Sequence, residues 1–561
     1  MRLSLLVGLA CVTACAGSYR TGAGYGGELG VSPSAYEHYI RGRIAADHGE
    51  HDVAIAEMRM AAAAAPDQPE PRLAVGEELL AAGRVDAAAA EARFAIGAWP
   101  REAGSWQLAG RVRAAATDVV GAAEAFERAV DLDATDEDSW LMLGAAYRQL
   151  RDDRRALEAY RRLVAALPGS GEGHFRLGRL LGATDAPTAA AELKRAVELD
   201  PGHIDARIAL SELYRRTGRS SDAEKALREA FDRSGDDAQV GERLYRMLLE
   251  TGDRSAAVQL LLRMDGDWRD WRIRLRVAGF LLQLHEGADA LRIARAVLAK
   301  DAGAGAARML ESRALAQLGR RSEAIAACLS VPATDDTYAE ARAFAAELHG
   351  REGAPQEGLK LVAEALVARS TEPLLLAAAA SLHEQLGAFD QARALLDGAL
   401  AKNPTDEVLV YARATLEERA ADPDRAVAVM KRLLDENADS VLALNFIGYS
   451  YVDRGVELEA AERMLRHAAA LRPDDGFVLD SLGWLYLRRG QVDEARAAIE
   501  RADRLTPFEP EILFHLGEVY LRGGQEQHAR ETFRQALALD PRGKIRTRLE
   551  ERVRTIEAKA P

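Results

Sequence analysis

Few residues in this 561-residue chain have the types and spacing that chemistry requires. His383-Glu384 begins like a helix that holds zinc between two histidines four positions apart, a spacing that puts both imidazoles on one face with the glutamate as base. Gly387 stands where the second ligand must be, so the metal lacks its second arm. Asp131, Asp133 and Asp136 have the carboxylate density of a calcium loop, but no glycine and no closing glutamate stand in register. Ser170 lies in Gly169-Ser170-Gly171 after Pro168, in a connecting loop rather than on the sharp elbow that exposes a nucleophilic serine. Gly22-Ala23-Gly24-Tyr25-Gly26-Gly27 spells a dinucleotide-binding loop, yet no strand precedes it. The 11 histidines show no recurring ligand spacing. Cys328 falls four residues after Ala324 at a buried phase and reads as a small core hydrophobe. These patterns predict no enzyme, no cofactor and no metal. With a net charge of -14 and 74 basic residues spread evenly, the chain has no basic stripe, and nucleic acid is set aside as a partner.

The elements behind these residues follow a repeat. Gly76, Ala88 and Ala95 recur 34 residues later as Gly110, Ala122 and Ala129, and downstream as Gly483, Ala495, Ala502 and Gly517, Ala529, Ala536. Pro66, Pro100, Pro168, Pro473, Pro507 and Pro541 close units at the same phase. Small residues at the Gly and first Ala positions let two antiparallel helices approach closely, and the second Ala lets the next pair dock. Trp140, Leu143, Tyr147 and Tyr160 fill the space between, spaced so that all reach the buried faces of two helices. Gly83-Arg84, Gly218-Arg219, Gly387-Ala388 and Gly490-Gln491 supply the turns. One such unit cannot bury its own apolar face, so the units must stack.

This pattern resembles the tetratricopeptide repeat (TPR) family, whose signature sites match Trp140, Leu143-Gly144, Tyr147, Ala156, Tyr160 and Pro168, with Leu163 in place of the second alanine. The resemblance implies an all-α, right-handed superhelical solenoid of about fifteen helix-turn-helix repeats. Repeats are expected over 35–235 and 374–541, with divergent ones over 236–373, where the Gly position reads Tyr245, Ala278, Ser312 and Ala346. Trp268 and Trp271 mark a junction there, as a kink or an enlarged helix contact. Residues 542–561, with Ile545, Leu549, Val553 and Ile556 along one face, are expected to cap the stack.

Residues 1–14 read as a signal peptide: Arg2 is followed by an apolar stretch from Leu3 to Val12, too short to span a bilayer. Val12-Thr13-Ala14-Cys15 resembles the lipobox of bacterial lipoproteins, which implies cleavage before Cys15 and acylation there. Ala16 rather than aspartate after that cysteine implies an outer-membrane lipoprotein facing the periplasm, so the membrane is contacted by the lipid anchor alone. Residues 15–34, rich in glycine, read as a flexible tether.

Binding is what remains. In a two-helix repeat the first helix lines the concave surface, so counting from the glycines assigns groove positions to Asn445, Tyr449 and Val452, to Asp480, Trp484 and Leu487, and to Phe514, Glu518 and Leu521. The expectation is an exposed aromatic strip with polar neighbours, suited to a protein partner; packing of Tyr449 and Trp484 against the next repeat is the other reading. Arg488 and Arg522 occupy equivalent places beside it. The runs Leu444-Asn445-Phe446-Ile447-Gly448-Tyr449-Ser450 and Leu479-Asp480-Ser481-Leu482-Gly483-Trp484 resemble outer-membrane TPR lipoproteins that act as adaptors of carboxyl-terminal processing proteases. That resemblance implies a protease or cell-wall enzyme as partner. Assembly of an envelope machine such as a pilus, secretin or polysaccharide exporter is the alternative, and a cell-wall hydrolase is a third reading that the chain offers no catalytic residues to support.

Overall fold

The computed structural model describes residues 32–266 and 270–558. The signal segment 1–14, Cys15, the glycine run 22–27 and Trp268 lie outside the described residues. The first helix, Pro33–Asp47, starts two residues inside the stretch read as tether, because Ser32 caps it by accepting from the Ala35 amide and Pro33 is preset for a first helical turn.

Among the described residues there are thirty-one α-helices and no strand, and they form fifteen antiparallel pairs followed by the single helix Gly543–Glu557. The all-α repeat stack expected from the 34-residue period is what the chain forms. No helix among the described residues is long and apolar enough to cross a membrane. The chain divides into two compact units, Met1–Leu213 and Tyr214–Pro561.

In the first unit the pair Glu137–Gln149 and Asp153–Ala166 shows how the period becomes structure. Asp136 and Asp152 cap the two helices by accepting from the Ser139 and Arg155 amides. Trp140, Leu143, Tyr147 and Tyr160 are all buried between the helices. Gly144 lies against the face of Tyr160, so close that a β-carbon there would overlap the ring; Gly110 stands in the same relation to Phe126. The signature glycine is therefore a contact point, where the missing side chain is replaced by an aromatic sixteen residues on. Turns between helices need one left-handed residue. Gly83 supplies it with φ 73°, but at the same phase Thr117 (φ 63°) and Arg151 (φ 59°) adopt it at a conformational cost.

The second unit keeps this plan where the signature fades. At the glycine position Ser312 faces the smaller Cys328, with its hydroxyl donating to the Ala324 carbonyl at 2.8 Å and lying 2.9 Å from the thiol. Tyr245 instead stacks on Phe280 of the next first helix, ring centres 4.6 Å apart. This unit also curls so that its last repeats meet its early ones. Phe508, between Val492–Leu505 and Pro510–Arg522, inserts between the Arg254 guanidinium at 4.3 Å and the His285 ring at 4.4 Å. Lys544 donates to the Glu418 carbonyl at 3.2 Å, and Arg542 to the carbonyls of Gly350 and Arg351, so cations sit on the negative ends of distant helices.

Replacing Gly144 by alanine is expected to destabilise the first unit by about 1–3 kcal/mol through overlap with Tyr160. Urea unfolding of Gly144→Ala, Tyr160→Leu and the double variant checks this, with the double variant less destabilised than the sum of the two single changes.

Candidate protein-binding groove

Three first helices, Val441–Arg454, Gly476–Arg488 and Pro510–Arg522, and the cap helix Gly543–Glu557 present their inner faces side by side. Ser440 and Asp475 cap the first two by accepting backbone N–H groups, and Pro510 opens the third. These starts hold the inner-face residues in phase from one repeat to the next.

The expected exposed strip is not exposed. Trp484, Phe514, Asp480 and Glu518 are at most 6% accessible, Val452 and Leu487 are buried as well, and Asn445, Tyr449 and Leu521 are half-buried. The helices converge so closely that groove positions of one repeat meet those of the next. Trp484 stacks on His515 with ring centres 4.2 Å apart and planes inclined by 21°. Asp480 accepts from His515 Nδ1–H, its two oxygens lying at 2.8 and 3.0 Å. Tyr449 reaches across one repeat to donate to Glu511 at 2.7 Å. The cap helix completes the enclosure: Arg552 grips both oxygens of Glu518, and the Arg548 guanidinium lies 4.3 Å over Phe514 and 3.6 Å from Asp453. Of the predicted residues only Arg488 and Arg522 stay exposed, Arg488 donating to the Asp453 carbonyl at 3.2 Å.

The electrostatics follow from this packing. Burial disfavours a charge on His515, but the Asp480 carboxylate and the hydrogen bond to it outweigh burial and raise the imidazole above its ordinary value. Burial, reinforced by the Glu511 charge, pushes the Tyr449 hydroxyl well above the usual phenol range. The indole Nε1 of Trp484, Nε2 of His515 and Oδ1 of Asn445 are buried without a protein partner.

What stays open is a cavity of about 280 Å³ floored by Trp484 and Phe514 and walled by Arg488, Arg522, Arg548 and Arg552, with Asp453 and Glu518 between them. A second, shallower one of about 180 Å³ lies between Pro373–Gln385 and Glu407–Arg419, where Ala377, Ala380 and Ala412 leave room beside Tyr411. Sequence reasoning missed His515, Arg548 and Arg552. The signal was the period itself: Arg548 and Arg552 stand 34 residues after Phe514 and Glu518, and His515 stands 35 after Asp480.

Most of the residues weighed for catalysis have structural roles. Glu384 pairs with Arg419 at 2.6 Å, and Gly387 is the left-handed turn residue. Asp131 pairs with Arg162, Asp133 accepts from Thr135, and Asp136 is a helix cap. Ser170 caps Gly171–Leu181 and donates to Glu137 at 2.6 Å. Burial raises the Cys328 thiol above its usual value.

Tetratricopeptide repeat models match residues 73–137, 137–180, 180–248 and 481–544. A TPR repeat-containing protein of Pseudomonas aeruginosa is 32% identical over 73 residues, which cover 13% of this chain and only 12% of that relative. Among solved structures, a tetratricopeptide repeat protein from Parabacteroides merdae aligns at 20% identity over 45% of this chain and 97% of its own, with a TM-score of 0.33. Yeast Tom70 aligns at 15% identity over 75% of this chain and 96% of its own, with a TM-score of 0.38. The repeat-model matches identify tetratricopeptide repeats in residues 73–248 and 481–544 of this chain.

His515→Leu would strand the buried Asp480 carboxylate and is expected to cost about 3 kcal/mol. Because the folded imidazole is raised, its contribution is fully present below about pH 6.5 and is lost as pH rises through the folded value. Urea unfolding of parent and variant at acid and alkaline pH should therefore show a gap that narrows on the alkaline side.

Proposed function

We propose that this protein is a scaffold without catalytic activity of its own, anchored by lipid at Cys15 in the bacterial outer membrane, and that it gathers protein partners in the periplasm through the inner face of its C-terminal repeats. The observation that carries this reading is the arginine-walled cavity over Trp484 and Phe514. An apolar floor ringed by guanidinium groups suits a partner segment that presents an acidic group beside an apolar side chain. The resemblance of 444–450 and 479–484 to protease adaptors makes a carboxyl-terminal processing protease, or a cell-wall enzyme delivered to one, the partner to test first.

Trp484 and Tyr449 are packing residues, so the informative changes are at the exposed cavity rim. Retrieval of partners from an envelope extract with the chain from Ser18 onward should lose its principal partner with Arg488→Glu plus Arg522→Glu, while thermal unfolding is unchanged. Unaltered retrieval would move the binding site to another face. Peptidoglycan breakdown by the purified chain, abolished by a single residue change, would overturn the scaffold reading. The anchor has its own test: Cys15→Ser should abolish labelled-palmitate incorporation and release the protein from the membrane fraction.

A further inference from the structure

The loops that end the last two helix pairs reach back to earlier repeats of the second unit. Phe508 and Arg542 stand 34 residues apart, at one position of the repeat, and both leave their own pair. The Phe508 ring lies between Arg254 and His285, and Arg542 donates to the Gly350 and Arg351 carbonyls. Beside them Asp540 lies 3.6 Å from Arg321, Lys544 donates to the Glu418 carbonyl, and the helix Val492–Leu505 rests along Ala238–Thr251 with Arg504 beside Gly252. The receiving residues share a place as well. Arg254 and Arg321 stand two residues after the left-handed turn residues Gly252 and Gly319, and Gly350 and Glu418 stand three residues before Gly353 and Ala421. The two loops therefore press on a single row of helix-to-helix turns.

These contacts differ from those within the stack. The buried apolar core that runs from Val410 to Ile556 includes, among the described residues, none from 238–370. The row of turns is held instead by a sandwiched ring, by cations on carbonyls and by an exposed ion pair, each of them weak. Holding it also strains the backbone. Phe508 (φ 65°) and Asp540 (φ 53°) are left-handed, whereas Asp474 and Arg542, the counterparts of Phe508 one repeat before and after, are not. Each pair keeps its packing on its sequence neighbours when the loops let go, so opening unpacks no repeat. We propose that loops 506–509 and 540–544 form a clasp that closes the second unit on itself and opens reversibly in solution. The clasp includes Arg542 and Lys544 at the start of the cap helix, and Arg548 and Arg552, one and two turns beyond Lys544, wall the cavity. Opening releases the start of that helix, which makes closure a control on the cavity; this control, unlike the opening itself, rests on the function proposed above.

The chain from Ser18 onward retains every described helix and, of the cysteines, only the buried Cys328. Glu352→Cys and Thr547→Cys, both at exposed positions, place spin labels on the two sides of the clasp. Pulsed electron-spin distance measurements should give a short and a long population, the long one growing with salt, which screens exposed charges. At fixed salt it should also grow in Phe508→Ala, although residue 508 lies in the other loop. A control pair, Gln527→Cys with Thr547→Cys, has both labels on the last two helices and should keep one distance throughout, which a loosened fold would not do. A single short distance in the parent, in Phe508→Ala and in Arg542→Ala at every salt concentration would overturn the proposal, as would a single long distance in the parent. No partner enters this measurement, so its failure is read separately from unaltered retrieval with Arg488→Glu plus Arg522→Glu.

Discussion

The structure depends on the contact between a first helix and its partner at the position where the side chain is missing. At Gly110, Gly144 and Gly517 the backbone lies against the rings of Phe126, Tyr160 and Phe533. Each contact sets how closely two helices approach, and the alanines at offsets 12 and 19 let the pair bury itself and receive the next one. Where the aromatic is smaller the glycine is dispensable, as Ser312 facing Cys328 shows. At Ser312 the volume across the contact is kept while the residue types change, whereas Tyr245 takes a different course and stacks on the next first helix.

Close approach within pairs has consequences for the inner face. In the last three repeats the first helices converge until their groove positions touch, so Trp484, Phe514, Asp480 and Glu518 become core. A buried acid in this position needs a partner, and the period supplies one from the next repeat: His515 for Asp480 and Arg552 for Glu518. The helix Gly543–Glu557 thus does more than shield an apolar end. Leu549 and Ile556 bury its underside, while Arg548 and Arg552 reach into the inner face and leave a cavity that is small and strongly charged rather than long and open.

The two ends of the stack contrast. The C-terminal end is covered by a helix whose outer surface is polar, with Arg546, Glu550 and Arg554 displayed to solvent. The N-terminal end displays Ile40 and Ile44, whose counterparts one and two repeats later, Ala74 and Leu108, Glu78 and Val112, are buried.

Read alone, the sequence determined the period, the helix pairs, the turn residues and the phase of each buried position, because these are local: a glycine, an aromatic sixteen residues on and a capping aspartate act within one or two units of chain. It also placed Asn445, Tyr449, Asp480, Trp484, Phe514 and Glu518 on the inner face. Whether an inner-face residue is open to a partner is a different quantity. It depends on how tightly successive pairs fan together and on contacts such as Phe508 with Arg254 and His285, or Arg542 with Gly350, that join residues roughly two hundred or more positions apart. Small rotations between neighbouring pairs accumulate over many repeats, so no local pattern reports their sum. Only the tertiary structure could decide that the aromatic strip is packing, that the arginines around it form the open surface, and that the first helix presents an apolar face.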